Sequence, residues 1–511
     1  MKIIAKAFFL GLMSLAVAEG RADSCGSRVH GVSAAGTEVH VSNTAIREVT
    51  PQFFGFNLEL VEFQNSLWDS GSRRVDPQAI VYLQRFPGAV YRYPGGTVSN
   101  HFDWKAAIGP VERRPAQKIV DWQGARVVEF GPSEYLEFVR QVKGTAWYVL
   151  NLYGAESGEY AMESVSHSAS QLASYMNSQR AAGLPGVYRW ELGNELDRGK
   201  KRWPAAKYVA VSKAITGAVR AQYSDAEFVG MSQDWEHIGT SVAGSNFNSY
   251  VAKGLPREVD EFAGHYYYDG APWGPPLPRL VSQICKNIKA LEAAGTLQGM
   301  WVTEHARAPR GVPSDPGWKH NWSQTADIGA ATSVADMMIM LARTPKIKGA
   351  FVHSLHGSSG PWPMFHKSGE GTVWPSTVYW ALALLRDVML EEVLDTRIYA
   401  SIRSGSLLGY YTNVAVFSSR DRSQFSTWMI NRSSEPVPIR FAMPHFASKR
   451  LAIKMVRLGG GTASGSNYVS PYAVTPVTTE IMTDVDANGE FEVTIPGNSV
   501  VTGKIEILKP G

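Results

Sequence analysis

Between residues 49 and 390 short apolar runs alternate with longer stretches of helical period. Eight of the runs read as strands, at 53–58, 89–93, 146–152, 188–192, 227–231, 261–267, 299–303 and 349–353. Helical patterns at 133–142, 166–182, 205–222, 278–294, 326–341 and 376–388 fall between or after them. Repeated strand-helix units predict an α/β fold, a (β/α)8 TIM barrel, which needs about 250 residues and grows by loop insertion. A doubly wound open sheet is the rival arrangement, but no Gly-rich phosphate or dinucleotide loop follows the first run. Past residue 390 the period changes to two, in runs at 414–417, 425–431, 437–441, 451–456 and 491–495 separated by turns rich in Gly, Ser, Asn and Pro. That pattern predicts an additional C-terminal antiparallel β-sandwich domain. Residues 36–50 alternate in the same way, so segment 23–48 is expected to add strands to the sandwich. The expected division is a signal peptide at 1–22, the strands of 23–48, a catalytic barrel at 49–390 and the sandwich at 391–511.

The N-terminus breaks this pattern. Lys2 and Lys6 precede an apolar run, and small-x-small patterns at 16–18 and 20–22 offer cleavage sites, so a secretory signal peptide and a secreted or periplasmic location are expected. The apolar run is too short to span a bilayer, and no stable membrane insertion is expected. Export exposes Cys25 and Cys285 to an oxidising setting, where they either pair or stay as two thiols; two cysteines cannot staple 511 residues in any case. The net charge of +4 falls to +2 when Lys2 and Lys6 are removed, which gives no basis for a nucleic-acid partner. With 44% hydrophobic and only 19% charged residues, the chain can bury a large core and is not a disordered one.

Functional side chains of such a barrel come from the C-terminal ends of its strands. The fourth run leads into Gly193-Asn194-Glu195, and the seventh into Thr303-Glu304-His305. Two carboxyls on strands four and seven face each other across the mouth. Glycosidic cleavage needs such a pair: one carboxylic acid protonates the leaving oxygen while the other carboxylate attacks the anomeric carbon or activates water. On the sixth run His265 and Tyr267 are two apart and share a face. There the phenol can hydrogen-bond to a nucleophilic carboxylate, or the pair can belong to an aromatic layer with Tyr266 and Tyr268. Arg92 ends the second run, where an always-charged guanidinium holds a carboxylate ionised or forms a structural ion pair. Trp104, Trp203, Trp318, Trp322, Trp362 and Trp374 follow strands and are either sugar platforms or packing. A metal hydrolase would draw on His265, His305, His353, His356 and His366, but no His-Glu-x-x-His pair is present.

These residues carry a resemblance. Arg92-Tyr93-Pro94-Gly95-Gly96, continuing through Asp103-Trp104, Ile108-Gly109-Pro110 and Arg113-Arg114-Pro115, resembles the second-strand segment of glycoside hydrolase family 51, α-L-arabinofuranosidases of the retaining clan A. Phe54-Gly55-Phe56-Asn57-Leu58-Glu59, Gly193-Asn194-Glu195 and His265-Tyr266-Tyr267 are similar as well, so the likeness touches strands one, two, four, six and seven. It implies that Glu195 is the acid/base and Glu304 the nucleophile. Asn194 would bind the sugar 2-hydroxyl and Glu59 another hydroxyl, with Arg92, His265 and Tyr267 supporting the carboxylates. An oligo- or polysaccharide is the implied partner, and no metal or cofactor is implied.

The chain departs from the family at three places. Gly-Gly-Asn becomes Gly96-Thr97, Glu-Trp-Asn becomes Glu304-His305-Ala306, and a basic stretch, Asp197-Arg198-Gly199-Lys200-Lys201-Arg202-Trp203, follows strand four. These leave a retaining mechanism intact and open the question of the sugar. The basic stretch is either a solvated loop or a lining that favours a uronic acid or sulfated sugar, as in the related β-glucuronidase and heparanase family. A catalytically inactive carbohydrate-binding protein is the remaining alternative, because a retained fold does not guarantee activity.

Overall fold

A computed structural model describes residues 29–508, apart from segments 33–35, 120–123, 156–161, 199–201, 234–246, 260, 296, 358–359 and 401–409. The expected signal peptide lies outside the described residues, as does Cys25 and with it the question of pairing to Cys285.

The eight apolar runs close into a parallel barrel in chain order. Its strands are β1 (Phe54–Asn57), β2 (Val90–Tyr93), β3 (Thr145–Leu150), β4 (Val187–Leu192), β5 (Phe228–Met231), β6 (Glu261–Tyr268), β7 (Gly299–Arg307) and β8 (Ile347–His353). Six of the intervening helices are Pro132–Gln141, Met162–Ala181, Ala205–Arg220, Leu277–Ala293, Ile328–Ala342 and Thr377–Val388. Side-chain caps start two of them: Asp327 accepts from the Ala330 amide, and Ser376 from that of Tyr379. Inside the barrel Trp147, Trp301 and Phe351 pack ring to ring at 5.0–5.7 Å. This plug closes the interior, so ligands must enter at a mouth.

One boundary differs in a way that matters. The seventh strand extends to Arg307 instead of stopping at Thr303, so Glu304 lies within β7 and not after it. Polar residues end the apolar run in the sequence. In the barrel they stay in the ladder, because β6 supplies partners as far as Tyr268 opposite Arg307.

The C-terminal strands hydrogen-bond into a ten-stranded, mostly antiparallel sheet. Strand Thr37–Glu48 enters it between Glu392–Ala400 and Val437–Ala442. Five steps of this ladder separate Phe425–Asn431 from Glu490–Ile495, about 24 Å if the sheet were flat. Yet Phe446 lies 4.9 Å from Phe425 and 6.2 Å from Phe491. The sheet therefore curls over itself into two layers. Helix Ile328–Ala342, apolar almost all round, is buried between sheet and barrel, as such a helix must be. Beside it Arg432, just past strand Phe425–Asn431, donates to Asp269 after β6 at 2.7 Å and forms an ion pair with Asp336 on the helix at 2.9 Å.

Candidate active site

The backbone at the barrel mouth aims the polar side chains. After β2, Gly95 and Gly96 take φ of +79° and +44°. A Cβ on Gly95 would lie 1.5 Å from the Leu58 carbonyl oxygen, and one on Gly96 2.6 Å from Glu59 Oε2. Only glycines let this loop close against Glu59. After β4 the chain turns through Gly193 at φ +79° and Glu195 at φ +51°. A left-handed glutamate is uncommon and here swings its carboxyl over the mouth. On β6 a register shift between Gly264 and His265 sets His265 opposite Glu304 of β7.

Arg92 is the hub. Completely buried, it donates to Glu191 through Nε and Nη2 at 2.7 and 3.0 Å, and to Glu304 Oε1 through Nη1 at 2.9 Å. The same guanidinium reaches Asn57 Oδ1 and Asn194 Oδ1, both at 2.7 Å. Glu191 is further held by Trp147 Nε1 at 2.7 Å. Tyr267 donates its hydroxyl to Glu304 Oε2 at 2.8 Å. Glu304 is thus gripped through both oxygens. Glu195 has different company: His265 Nδ1 at 2.8 Å and Arg198 Nη1 at 3.0 Å, both on Oε1.

These neighbours set protonation. Burial pushes the Glu304 carboxyl up, but His265, His353 and Arg92 overcome it and hold the group below its ordinary value. Burial likewise raises Glu195, and Arg198 with the His265 hydrogen bond and charge brings it well below the usual range. His265 is lowered by burial yet raised overall by Glu304 and Glu195. Both shifts favour the proton on His265 over Glu195. Glu59, raised by burial and by the Glu304 charge, reaches about 8 and is a neutral acid at pH 7.

Both Glu195 and Glu304 open onto one cavity of about 370 Å³, within the range of small-ligand sites. Glu59, Asn194, Glu195, His265, Tyr267 and Glu304 line it, and Arg92 lies beneath, touching the cavity only through its partners. Of the tryptophans singled out above, Trp362 is in the wall, while Trp104 and Trp203 are buried in packing. Trp374 is tied to the Asn467 carbonyl of the sheet.

Sequence reasoning missed three members of the site and weighed a fourth, His353, only as a metal ligand. Glu191 and Asn57 are partners of Arg92; His353 at the end of β8 accepts from Asn57 Nδ2 at 2.7 Å; and Trp273 stacks on Tyr267 at 5.2 Å. Strand-end position was a usable signal for Asn57 and His353. The departures from the family separate on this map. Thr97 lines the cavity, whereas His305 alternates to the opposite face of β7 and meets Tyr268 at 3.0 Å. Only Arg198 of the basic stretch appears in the cavity wall among the described residues.

Glu195, His265 and Glu304 bring ligand atoms within 4.8 Å of one another, as a metal site would. Arg92 and Arg198 already bond these carboxylates, and two guanidinium charges oppose a cation there.

A (β/α)8 barrel with a glutamate after β4 and another on β7 is the arrangement that the resemblance to clan A glycoside hydrolases leads one to expect. The comparisons with known proteins agree. The sequence profile described as α-L-arabinofuranosidase 1 domain matches residues 82–271. An intracellular exo-α-(1→5)-L-arabinofuranosidase of Streptomyces lividans is 28% identical over 237 residues, 43% of this chain and 35% of that protein. The chain thus spans about a third of that relative's length in the match. The α-L-arabinofuranosidase of Thermotoga maritima superimposes with a TM-score of 0.75 at 16% identity, over 92% of this chain and all of that one. A family 51 arabinofuranosidase of Xanthomonas axonopodis gives 0.74 at 16% identity, with the same coverage. At such identity these two structures speak for the fold. In the matched sequence segment and in fold the chain is similar to family 51 α-L-arabinofuranosidases.

Proposed function

We propose that this chain is an exported retaining glycoside hydrolase of α-L-arabinofuranosidase type, acting on oligo- or polysaccharides by double displacement through Glu304 and Glu195. One observation carries the reading: carboxylate oxygens of the two glutamates lie within 4.8 Å of each other. Retaining enzymes keep their carboxyls about 5 to 5.5 Å apart, whereas inverting ones need about 6.5 Å or more to seat a water.

Glu304, ionised and fixed by Arg92 and Tyr267, attacks the anomeric carbon as the glycosidic bond breaks. Glu195 receives the proton held by its hydrogen-bond partner His265 and passes it to the departing oxygen, leaving a glycosyl ester on Glu304. Glu195, now a carboxylate, takes a proton from water; the hydroxide attacks the anomeric carbon, frees Glu304 and releases the sugar with its configuration retained. Asn194, its Oδ1 occupied by Arg92, has Nδ2 to offer the 2-hydroxyl. Protonated Glu59 can both donate to and accept from another hydroxyl. The matched arabinofuranosidase relatives support the glycone assignment.

Aryl α-L-arabinofuranoside, β-D-xyloside and β-D-glucuronide test it. Cleavage of the arabinofuranoside, abolished by Glu304→Gln, is expected; cleavage of the glucuronide alone would move the glycone, and activity surviving Glu304→Gln would end the two-glutamate mechanism. The N-terminal residue of protein recovered outside the cytoplasm reports export. A start near residue 19 or 23 is expected, and retention of Met1 would contradict it.

A further inference from the structure

Arg198 enters the cavity three residues past Glu195, and nothing in the double displacement uses it. Its Nε sits 3.3 Å from Asp197 Oδ1, and its backbone N–H donates to the Glu195 carbonyl at 3.3 Å. The Asp197 side chain is 1% exposed, so the guanidinium is anchored at one end. Its other end holds Glu195 Oε1 at 3.0 Å, on the atom that His265 also bonds. A carboxylate bonded by two cationic donors stays ionised, the wrong state for protonating a leaving group. Among the described residues the charged groups around Glu195 include Arg198, Asp197, His265, Arg92, Glu191 and Glu304, and of these cations Arg198 is the most exposed, at 20% against 6% for His265 and none for Arg92. It is the partner a ligand can reach.

The same cavity has a second unfinished feature. Gln283, on helix Leu277–Ala293, is 3% exposed and lines the cavity with Leu280, Tyr266 and Pro275. Neither amide atom of Gln283 has a hydrogen-bond partner. A buried amide is rarely left so unless a water or ligand completes it. Gln283 follows β6 and Arg198 follows β4, whereas Glu59, Thr97 and His353 come from the β1, β2 and β8 side. The β4 side is where Glu195 must meet the departing oxygen, hence where the leaving sugar lies.

We infer that the leaving-group subsite takes an acidic sugar, whose carboxylate draws the Arg198 guanidinium off Glu195 while Gln283 bonds its hydroxyls. The inference deepens the hydrolase reading and rests on it. The exchange is electrically balanced: the ligand adds one negative charge, Glu195 takes one proton from water, and the net charge of the site is unchanged. A neutral sugar has nothing to hold Arg198 with, so the resting ion pair persists and opposes protonation. Guanidinium suits the exchange because it binds a carboxylate through two parallel N–H bonds.

The test compares an α-L-arabinofuranosyl unit on a glucuronate hydroxyl with the methyl ester of the same disaccharide, identical but uncharged. Wild-type kcat/KM is expected to favour the acid by about tenfold or more, the scale of one hydrogen bond between charged groups. Arg198→Gln brings the ratio to about one, and Arg198→Lys restores part of it. Gln283→Ala lowers kcat/KM for both disaccharides with little change in their ratio. A wild-type ratio of one or less, or a ratio that survives Arg198→Gln, overturns the inference. Calorimetric binding of both disaccharides to Glu304→Gln reads the same ratio without turnover. Failure to cleave even an aryl arabinofuranoside would therefore sink the hydrolase reading separately.

Discussion

The two carboxylates of this cleft are held in opposite ways. Glu304 is 5% exposed and bonded through both oxygens, to the completely buried Arg92 and to the half-buried Tyr267. Glu195 is 23% exposed and bonded through one oxygen to a histidine and to an arginine that solvent reaches. The difference suits the tasks proposed for them. A nucleophile keeps one charge and one aim until it attacks, so a rigid cage suits it. An acid/base must change charge twice per turnover, and partners that can let go serve it better.

Substituting each carboxylate gives the largest separation of the two. Glu304→Gln should lose about four or more orders of magnitude in kcat on every glycoside. In kcat/KM, which reports the first displacement, Glu195→Gln should lose about 10²- to 10⁴-fold on sugar leaving groups and much less on a nitrophenyl glycoside that departs without a proton. Equal losses on the two kinds of substrate would erase the distinction. The cations should separate next, in denaturant titrations. Arg92→Met strands Glu191 in the core and should cost about 3–5 kcal/mol of stability, against about 1 kcal/mol or less for Arg198→Gln. Tyr267→Phe, with one donor to Glu304 removed, should reduce kcat by about 10- to 100-fold with folding intact, as thermal melting will check.

The pH dependence sharpens the contrast further. Glu304 must be ionised and is held low, so activity should fall only as pH drops through a value beneath the ordinary carboxylate range. His265→Gln takes away a charge that lowers Glu304 and should move this acidic limb of kcat/KM upward. A separate effect, on stability, concerns Glu59, held near 8 in the folded chain against an ordinary 4.5. A raised carboxyl contributes its full stability below about pH 4.5 and loses it as pH rises toward 8. Glu59→Gln should therefore raise Tm at pH 8.5 and leave it nearly unchanged at pH 4.5.

How far the sequence reaches can be judged from single residues. Strand periodicity placed the barrel, and strand ends located Glu195, Arg92 and the face shared by His265 and Tyr267. Periodicity could not show that β7 continues through Glu304, because a polar residue ends an apolar run whether or not a neighbouring strand goes on pairing. Arg92 and Glu191 are 99 residues apart in the chain, and no local pattern announces such a pair. Arg198 reads as one cation among several in a loop; only the left-handed turn at Glu195 brings it back onto the carboxylate. Tertiary contacts of this kind separate a solvated loop from a cleft wall.

The most direct test of the caged nucleophile is to stop the reaction between its two displacements. Glu195→Ala, mixed with 4-nitrophenyl α-L-arabinofuranoside, can still be glycosylated by an activated substrate but lacks the base that frees the ester. Intact-protein and peptide mass spectrometry should then find one pentosyl unit, carried by Glu304. Release of nitrophenol with no pentosyl adduct, or an adduct on any other residue, would contradict the assignment of Glu304 as the nucleophile.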